Sequence, residues 1–149
     1  MKKLKTIAIA GFISGLLDAT AAILFYTKPH NLHNISMLFR SIAKGLLGKA
    51  AFSPGIIYPV IGLILHFLIS NIWAAFYLAI LSSAFKSGFL LAKIVLFAAI
   101  IWITMNGFVM PVFGYSGAHY DGWSIMRSFL ILVFCVSVPI IVITEKRNF

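Results

Sequence analysis

Four long apolar runs, separated by short polar stretches, constrain this chain more than any other feature. They cover residues 6–26, 57–82, 89–113 and 125–144. A helix needs about 20 mostly apolar residues to cross the hydrocarbon of a bilayer, and each run reaches that length. Backbone polar groups in hydrocarbon must find partners within their own segment, which a helix allows. We therefore predict an all-α, polytopic membrane protein with four transmembrane helices in a single domain, residues 1–149.

The composition argues against a soluble domain. Of the 149 residues, 62% are hydrophobic and only 10% are charged, and the mean hydropathy is +1.05. Soluble domains are about 25% charged. A soluble domain of this length would still expose roughly a third of the surface that its unfolded chain exposes. Too few polar side chains are present to cover that surface, so lipid must cover it.

A basic, amphipathic stretch separates the first two runs. Between residues 35 and 52 apolar side chains recur at helical spacing, while Arg40, Lys44 and Lys49 occupy the other side. A helix of this kind lies in the interface plane, because it is too short and too charged to cross. We expect an interfacial amphipathic helix over residues 35–52 whose basic residues meet the anionic headgroups of membrane lipids.

The net charge of +9 comes from 12 Lys and Arg against 3 acidic residues. In a soluble protein such an excess suggests nucleic-acid binding. Here the basic residues lie at the ends of apolar runs or in the interfacial stretch, and they form no basic face interleaved with aromatic residues. Nucleic acid is therefore not an expected partner.

The N-terminal run resembles a signal peptide at first sight, because three lysines precede it and small residues stand at positions 19–21. The apolar run continues past that point, which favours a retained first helix. Four spans place both termini on one side, and the Lys and Arg count in short loops favours the cytoplasmic side. The basic stretch at 35–52 supplies most of the opposing charge, so the inverted orientation stays open. Lys93, near the start of the third run, is expected to snorkel to the headgroups.

One face of the first run combines small residues with a carboxylate. Gly11, Gly15, Asp18 and Ala22 are spaced four, three and four residues apart, so they share one helical face. Small residues at this spacing permit close contact between helices. A carboxylate in hydrocarbon is costly unless it is protonated or paired, so Asp18 is expected to face the interior of the bundle.

The second run also has a polar face. Its members share helical spacing and are Gly62, His66, Ser70, Trp73 and Tyr77. At a rise of about 1.5 Å per residue, Asp18 and His66 come to similar depth, and Asn106 of the third run lies a little shallower. We predict a buried polar cluster of Asp18, His66 and Asn106, with a hydrogen bond between Asp18 and His66. Such a cluster serves either as a packing contact or as a proton or substrate site.

Four further residues are of types that bind zinc or copper. They fall in the polar connections on the non-terminal side and are His30, His33, His119 and Asp121. The spacing of His30 and His33 in a loop with proline and asparagine promises no common face. Solvated loop residues are therefore the default interpretation, and no metal is expected.

The chain shows no catalytic motif. It lacks Gly-x-Ser-x-Gly, Cys-x-x-Cys, His-Glu-x-x-His and a glycine-rich phosphate loop, and it has only 3 acidic residues for carboxylate chemistry. Its single cysteine, Cys135, lies inside the last apolar run, where a thiol behaves as a small hydrophobe. We expect neither enzymatic activity nor a cofactor.

Two stretches of the chain carry a resemblance. They are RSIAKGLLGKAAF, residues 40–52, and GLILHFLISNIWAAFYLA, residues 62–79. In them the chain resembles a family of small, uncharacterised bacterial inner-membrane proteins with four predicted spans. The resemblance implies a multi-pass protein of the bacterial inner membrane, and it implies no particular activity. It also makes Arg40, Gly48 and His66 the first positions to test.

Two functional interpretations follow from these residues. The preferred one is a non-enzymatic accessory or interaction protein, because the polar residues suffice for packing, and its small-residue faces would fit a homo-oligomer. The alternative is a proton or small-solute transporter or channel subunit with Asp18, His66 and Asn106 along its path. A membrane enzyme acting on a lipid or quinone is a third interpretation, which no residue spacing in the sequence favours.

Overall fold

The computed structural model describes residues 2–27, 31–84, 89–113 and 121–147. Within these ranges the regular structure is helical and includes no strand. The elements are α1 (Lys2–Tyr26), α2 (Leu32–Leu47) followed by a 3₁₀ turn (Gly48–Phe52), α3 (Ile57–Ala84), α4 (Leu90–Val112) and α5 (Gly122–Lys146).

The four long helices α1, α3, α4 and α5 contain 25, 28, 23 and 25 residues. At about 1.5 Å per residue they are about 35–42 Å long, which exceeds the roughly 30 Å of bilayer hydrocarbon. All four are long and apolar enough to cross a membrane, so the prediction of four such helices is confirmed. Helix α1 begins at Lys2 rather than at residue 6, because lysine is a good helix former and apolarity marks only the hydrocarbon-facing part.

Helices α1 and α3 are antiparallel and very close. A side chain at Gly15 would meet Phe67 and Ser70, whereas one at Gly11 would meet Asn71, so residue numbers on the two helices run in opposite directions. Phe12 of α1 adds a stacked ring pair with Phe67, at 5.2 Å between centroids. Small residues on α1 thus allow the two backbones to approach, as the glycine spacing indicates.

Helices α4 and α5 are also antiparallel. Lys93, near the start of α4, bonds Glu145 near the end of α5, and Trp102 Nε1 donates to Ser128 Oγ at 3.0 Å further along. The four long helices form an up-and-down bundle whose core consists mainly of apolar side chains and Tyr77, and it includes the fully buried hydroxyls of Ser14, Ser137 and Thr144. The largest of these buried side chains are Tyr77, Phe97, Ile101, Ile140 and Ile141.

The amphipathic segment after α1 is the helix α2, which packs against α3. Asn31 caps its start, since the Asn31 side chain accepts hydrogen bonds from the backbone N–H groups of His33 and Asn34. Gly48 ends it with a φ of 57°, a left-handed value that favours glycine. The closest approach is at Gly62, where an added Cβ would overlap the carbonyl oxygen of Phe39.

Three of the long helices contain a wide, π-type turn, at Tyr77–Leu81, Met105–Val109 and Leu132–Ser137. Two of these turns end two residues before a helical proline, Pro111 and Pro139. Proline cannot donate a backbone hydrogen bond, and its ring clashes with the carbonyl four residues earlier. A widened turn before the proline relieves that clash without breaking the helix.

Candidate functional site

The predicted pair Asp18 and His66 lies where α1 contacts α3. His66 Nε2 is 3.8 Å from Asp18 Oδ2, which is within ion-pair range but too long for a hydrogen bond. The same nitrogen lies 2.9 Å from the carbonyl oxygen of Gly15, one turn before Asp18. The structure thus brings the two residues together, and the hydrogen bond expected from His66 to Asp18 goes to the α1 backbone instead.

The close helix contact explains how His66 reaches a backbone carbonyl. A Cβ at Gly15 would lie 2.9 Å from both Phe67 Cδ1 and Ser70 Oγ, so no larger residue fits without movement. The absence of a side chain leaves the Gly15 carbonyl open to a second donor besides its helical partner. Because a carbonyl oxygen only accepts, the His66 Nε2 atom carries the proton in this contact.

Both side chains are mostly but not fully buried, with 13% of His66 and 24% of Asp18 exposed. His66 Nε2 has two oxygen atoms within 4 Å, the Gly15 carbonyl oxygen at 2.9 Å and Asp18 Oδ2 at 3.8 Å. The ring is also held edge-on by Phe39 of α2 and Phe67 of α3.

A cavity of about 110 Å³ adjoins this pair. Its polar lining comes from Asp18, His66 and Ser70, and Trp73 lies beside them. Ile42 of α2 contributes to the wall, so the amphipathic helix helps to enclose the cavity together with apolar residues of α4 and α5. A water molecule occupies about 30 Å³ in the liquid, so the space holds about three waters or a small polar solute.

Asn106, the third residue of the predicted cluster, does not line this cavity. Its Nδ2 atom donates to the carbonyl oxygen of Trp102, one turn back on α4, at 2.9 Å. The neighbouring residue Met105 lines the cavity instead. Successive helix residues point about 100° apart, so a depth estimate that is correct to one residue still fails to predict which side chain faces inward.

The basic residues assigned to the interfacial segment have different environments. Lys49 is exposed, whereas Arg40 is half-buried and used within the chain. The Arg40 guanidinium donates to the backbone carbonyls of residues 51, 53 and 55, at 3.0, 2.6 and 2.6 Å. It also lies 5.6 Å from the ring centroid of Tyr58. Arg40 therefore fastens the connection between α2 and α3.

Two of the four weak metal candidates, His30 and His119, lie outside the described residues. His33 is exposed in the first turn of α2, and Asp121 is exposed directly before α5. Within the described parts of the chain, no three His, Cys, Asp or Glu side chains are grouped closely enough to hold a metal ion. The described residues offer no basis for a metal centre.

A second polar cluster joins α3, α4 and α5 near the end of the bundle that carries the N-terminus. Lys93 Nζ donates to Glu145 Oε1 at 2.7 Å, and Tyr77 OH donates to the same oxygen at 3.0 Å. Lys93 is only 9% exposed and Tyr77 is fully buried. The expectation that Lys93 snorkels to the headgroups is therefore wrong, because its ammonium group forms an ion pair with Glu145 of the same chain.

The pattern of apolar runs does not predict this second cluster, because Glu145 lies just beyond the last run, residues 125–144. The helix α5 continues past Thr144, so the Glu145 side chain still reaches the bundle. One signal was present in the sequence: a lysine and a glutamate, Lys93 and Glu145, stand at the same end of adjacent antiparallel spans. Both charges at one depth favour a pair over two separate snorkelling residues.

No protein family model, curated protein or solved structure matches this chain. The resemblance based on residues 40–52 and 62–79 stays a prediction. The fold itself is a helical bundle with four helices that are apolar enough to span a membrane, which indicates a multi-pass membrane protein.

Proposed function

We propose that the chain is a non-enzymatic integral membrane protein that acts as an accessory or interaction protein for other membrane components. The observation that carries this proposal is the use of the interior polar groups for contacts between the chain's own helices. His66 bonds the backbone of α1, and Glu145 receives hydrogen bonds from α3 and α4. Polar side chains that serve packing in this way are common inside membrane bundles.

We also propose a location in the bacterial inner membrane with both termini in the cytoplasm. The lysines at positions 2, 3 and 5 support this orientation, because basic residues next to a span favour the cytoplasmic side. We place α2 at the opposite interface, with its apolar face on α3 and the exposed Lys49 toward anionic headgroups. In the variant Lys49→Cys, a thiol reagent that does not cross membranes should label the new cysteine from the periplasm. In Lys3→Cys it should label the new cysteine only after lysis.

Self-association belongs to this proposal but cannot use the glycine face of α1. Gly11 and Gly15 already pack against α3 within the chain. A homo-oligomer would therefore use one of the apolar outer surfaces. Light scattering in detergent measures the protein mass directly, and a strictly monomeric protein would remove self-association from the proposal.

The packing role has a direct test in the free energy of unfolding. His66→Ala removes a hydrogen bond to Gly15 and two ring contacts, so we expect a loss of about 2 kcal/mol. Thr20→Ala is the control, because Thr20 is exposed, lies outside the cavity, and donates its hydroxyl hydrogen to the Leu16 carbonyl oxygen within α1. Equal effects of the two substitutions would contradict a packing role for His66.

A second candidate function is the passage of protons or a small polar solute through the bundle. The specific observation in its favour is that Asp18 and His66 both line one cavity of about 110 Å³. Titratable residues inside a membrane commonly mark ion or proton pathways. Its test is a flux in proteoliposomes that Asp18→Asn abolishes while the protein stays folded. A wild type without flux would reject this candidate.

A further inference from the structure

An outward-facing groove lies between α1 and α5, near Tyr26, the last residue of α1, and Trp123, in the first turn of α5. Its volume is about 440 Å³. The walls are large exposed apolar side chains such as Phe25 and Phe134, and the floor includes the buried Ala21. One charged side chain, that of Arg127, reaches into this otherwise apolar groove.

The groove has the length of one bilayer leaflet. It extends along α5 from Trp123 to Cys135, which is 12 residues or about 18 Å at 1.5 Å per residue. Half of the roughly 30 Å hydrocarbon layer is about 15 Å. Trp123 and Tyr26 mark the headgroup level, where amphipathic rings are enriched, and Cys135 marks the deep end. An extended acyl chain of one leaflet fits these dimensions.

Arg127 provides a positive charge that attracts the exposed Asp121 carboxylate at a distance: a hydrogen bond from Ser124 and, less strongly, Arg127 lower the pKa of Asp121. The Arg127 Nε atom is buried and has no hydrogen-bond partner among the described residues. No carboxylate oxygen in the described part of the chain lies within 4.0 Å of its guanidinium. The guanidinium carbon lies 4.8 Å from the ring centroid of Tyr26, and this cation–π contact holds it at the rim of the groove. A positioned, partly desolvated guanidinium is suited to a phosphate, which it binds through two parallel hydrogen bonds.

We propose that this groove binds one anionic phospholipid, with an acyl chain along α5 and the headgroup phosphate on Arg127. The apolar walls and the single cation match the two parts of such a lipid, and a zwitterionic lipid would bring its own cation next to the guanidinium. The site is separate from the cavity at Asp18 and His66 and does not depend on the function proposed for that cavity.

Native mass spectrometry of the protein released from bilayers with equal amounts of phosphatidylglycerol and phosphatidylcholine tests the proposal. The wild type should retain one phosphatidylglycerol under activation that strips phosphatidylcholine. Arg127→Gln should lower this retention about tenfold, the effect of losing one hydrogen bond to a charged group. Lys49→Gln is the control, because Lys49 is an exposed cation outside the groove, and it should retain the lipid. Retention by Arg127→Gln equal to the wild type, or an equal loss in Lys49→Gln, would overturn the proposal.

Cys135→Phe tests the acyl-chain part independently and decides the question alone if Arg127→Gln does not fold. Phenylalanine at Cys135 fills the deep end of the groove and leaves Arg127 in place. It should reduce retention of phosphatidylglycerol with long acyl chains severalfold and leave retention of a short-chain phosphatidylglycerol unchanged. If long-chain retention is unaffected, the groove is not the acyl-chain site and the proposal fails.

Discussion

The buried pair of Lys93 and Glu145 leads to a quantitative prediction about stability. Lys93 is 9% exposed, and its Nζ lies 2.7 Å from Glu145 Oε1. Removal of one partner from a buried pair leaves an uncompensated charge and costs about 3–5 kcal/mol. Because 32% of the Glu145 side chain is exposed, water screens part of the interaction, and we expect Glu145→Leu to cost about 2–3 kcal/mol.

The double variant Lys93→Met with Glu145→Leu should recover part of that loss, because it leaves no buried charge. The rest stays lost, because the buried Tyr77 hydroxyl no longer has the Glu145 oxygen as its acceptor. Lys5→Met is the matched control. Lys5 is an exposed lysine near the same end of the bundle, so its replacement should change stability by less than about 0.5 kcal/mol. The assay is unfolding of the purified protein by SDS titration in mixed micelles, followed by far-UV circular dichroism.

Two results would refute this reasoning. One is a free energy of unfolding for Glu145→Leu that stays within about 0.5 kcal/mol of the wild type, the range of ordinary surface substitutions. The other is a double variant no more stable than the single variants. Either result would mean that Lys93 is hydrated and that α4 and α5 do not meet as described.

Two further substitutions test the helix contacts. Gly11→Ala should lower the free energy of unfolding by about 1–3 kcal/mol, because its Cβ would lie 2.7 Å from Asn71 Cα. Gly107→Ala, with no described atom within 4 Å of its Cβ, should change it by less than about 1 kcal/mol, and equal losses in the same titration would contradict the close contact. Arg40→Lys should speed amide hydrogen exchange at residues 51–55, because an ammonium cannot replace a guanidinium fork that serves three carbonyls. Exchange at the wild-type rate would show that Arg40 does not fasten this connection.

The sequence predicts the helical segments well because apolarity over about 20 residues has few structural solutions. The second run, predicted over 57–82, is observed as the helix Ile57–Ala84. The ends of α1 and α5 are less predictable, since Lys2 and Lys146 are polar yet helical. Apolarity marks the part of a helix that faces hydrocarbon and does not mark where the backbone hydrogen bonds stop.

For the candidate site, the sequence predicts the depth of each residue in the bundle but not the rotation of each helix about its own axis. The fixed rise of a helix places Asp18 and His66 at the same level, and the structure has them 3.8 Å apart. The orientation of each helix about its own axis depends on packing, so the depth estimate predicts Asn106 in the cluster although Met105 lines the cavity. The His66 bond to Gly15 was unpredictable for a related reason: a backbone carbonyl becomes an acceptor only where two helices approach closely.

Proton flux into proteoliposomes, recorded beside the unfolding free energy of the same variants, most directly separates a packing role from transport. The variants are His66→Ala and Asp18→Asn, with Thr20→Ala as the control outside the cavity. We expect that the wild type carries no flux above that of protein-free vesicles and that His66→Ala is less stable by about 2 kcal/mol. A wild-type flux that disappears in His66→Ala and Asp18→Asn, while both stay as stable as the control, would contradict it and make the cavity a transport site.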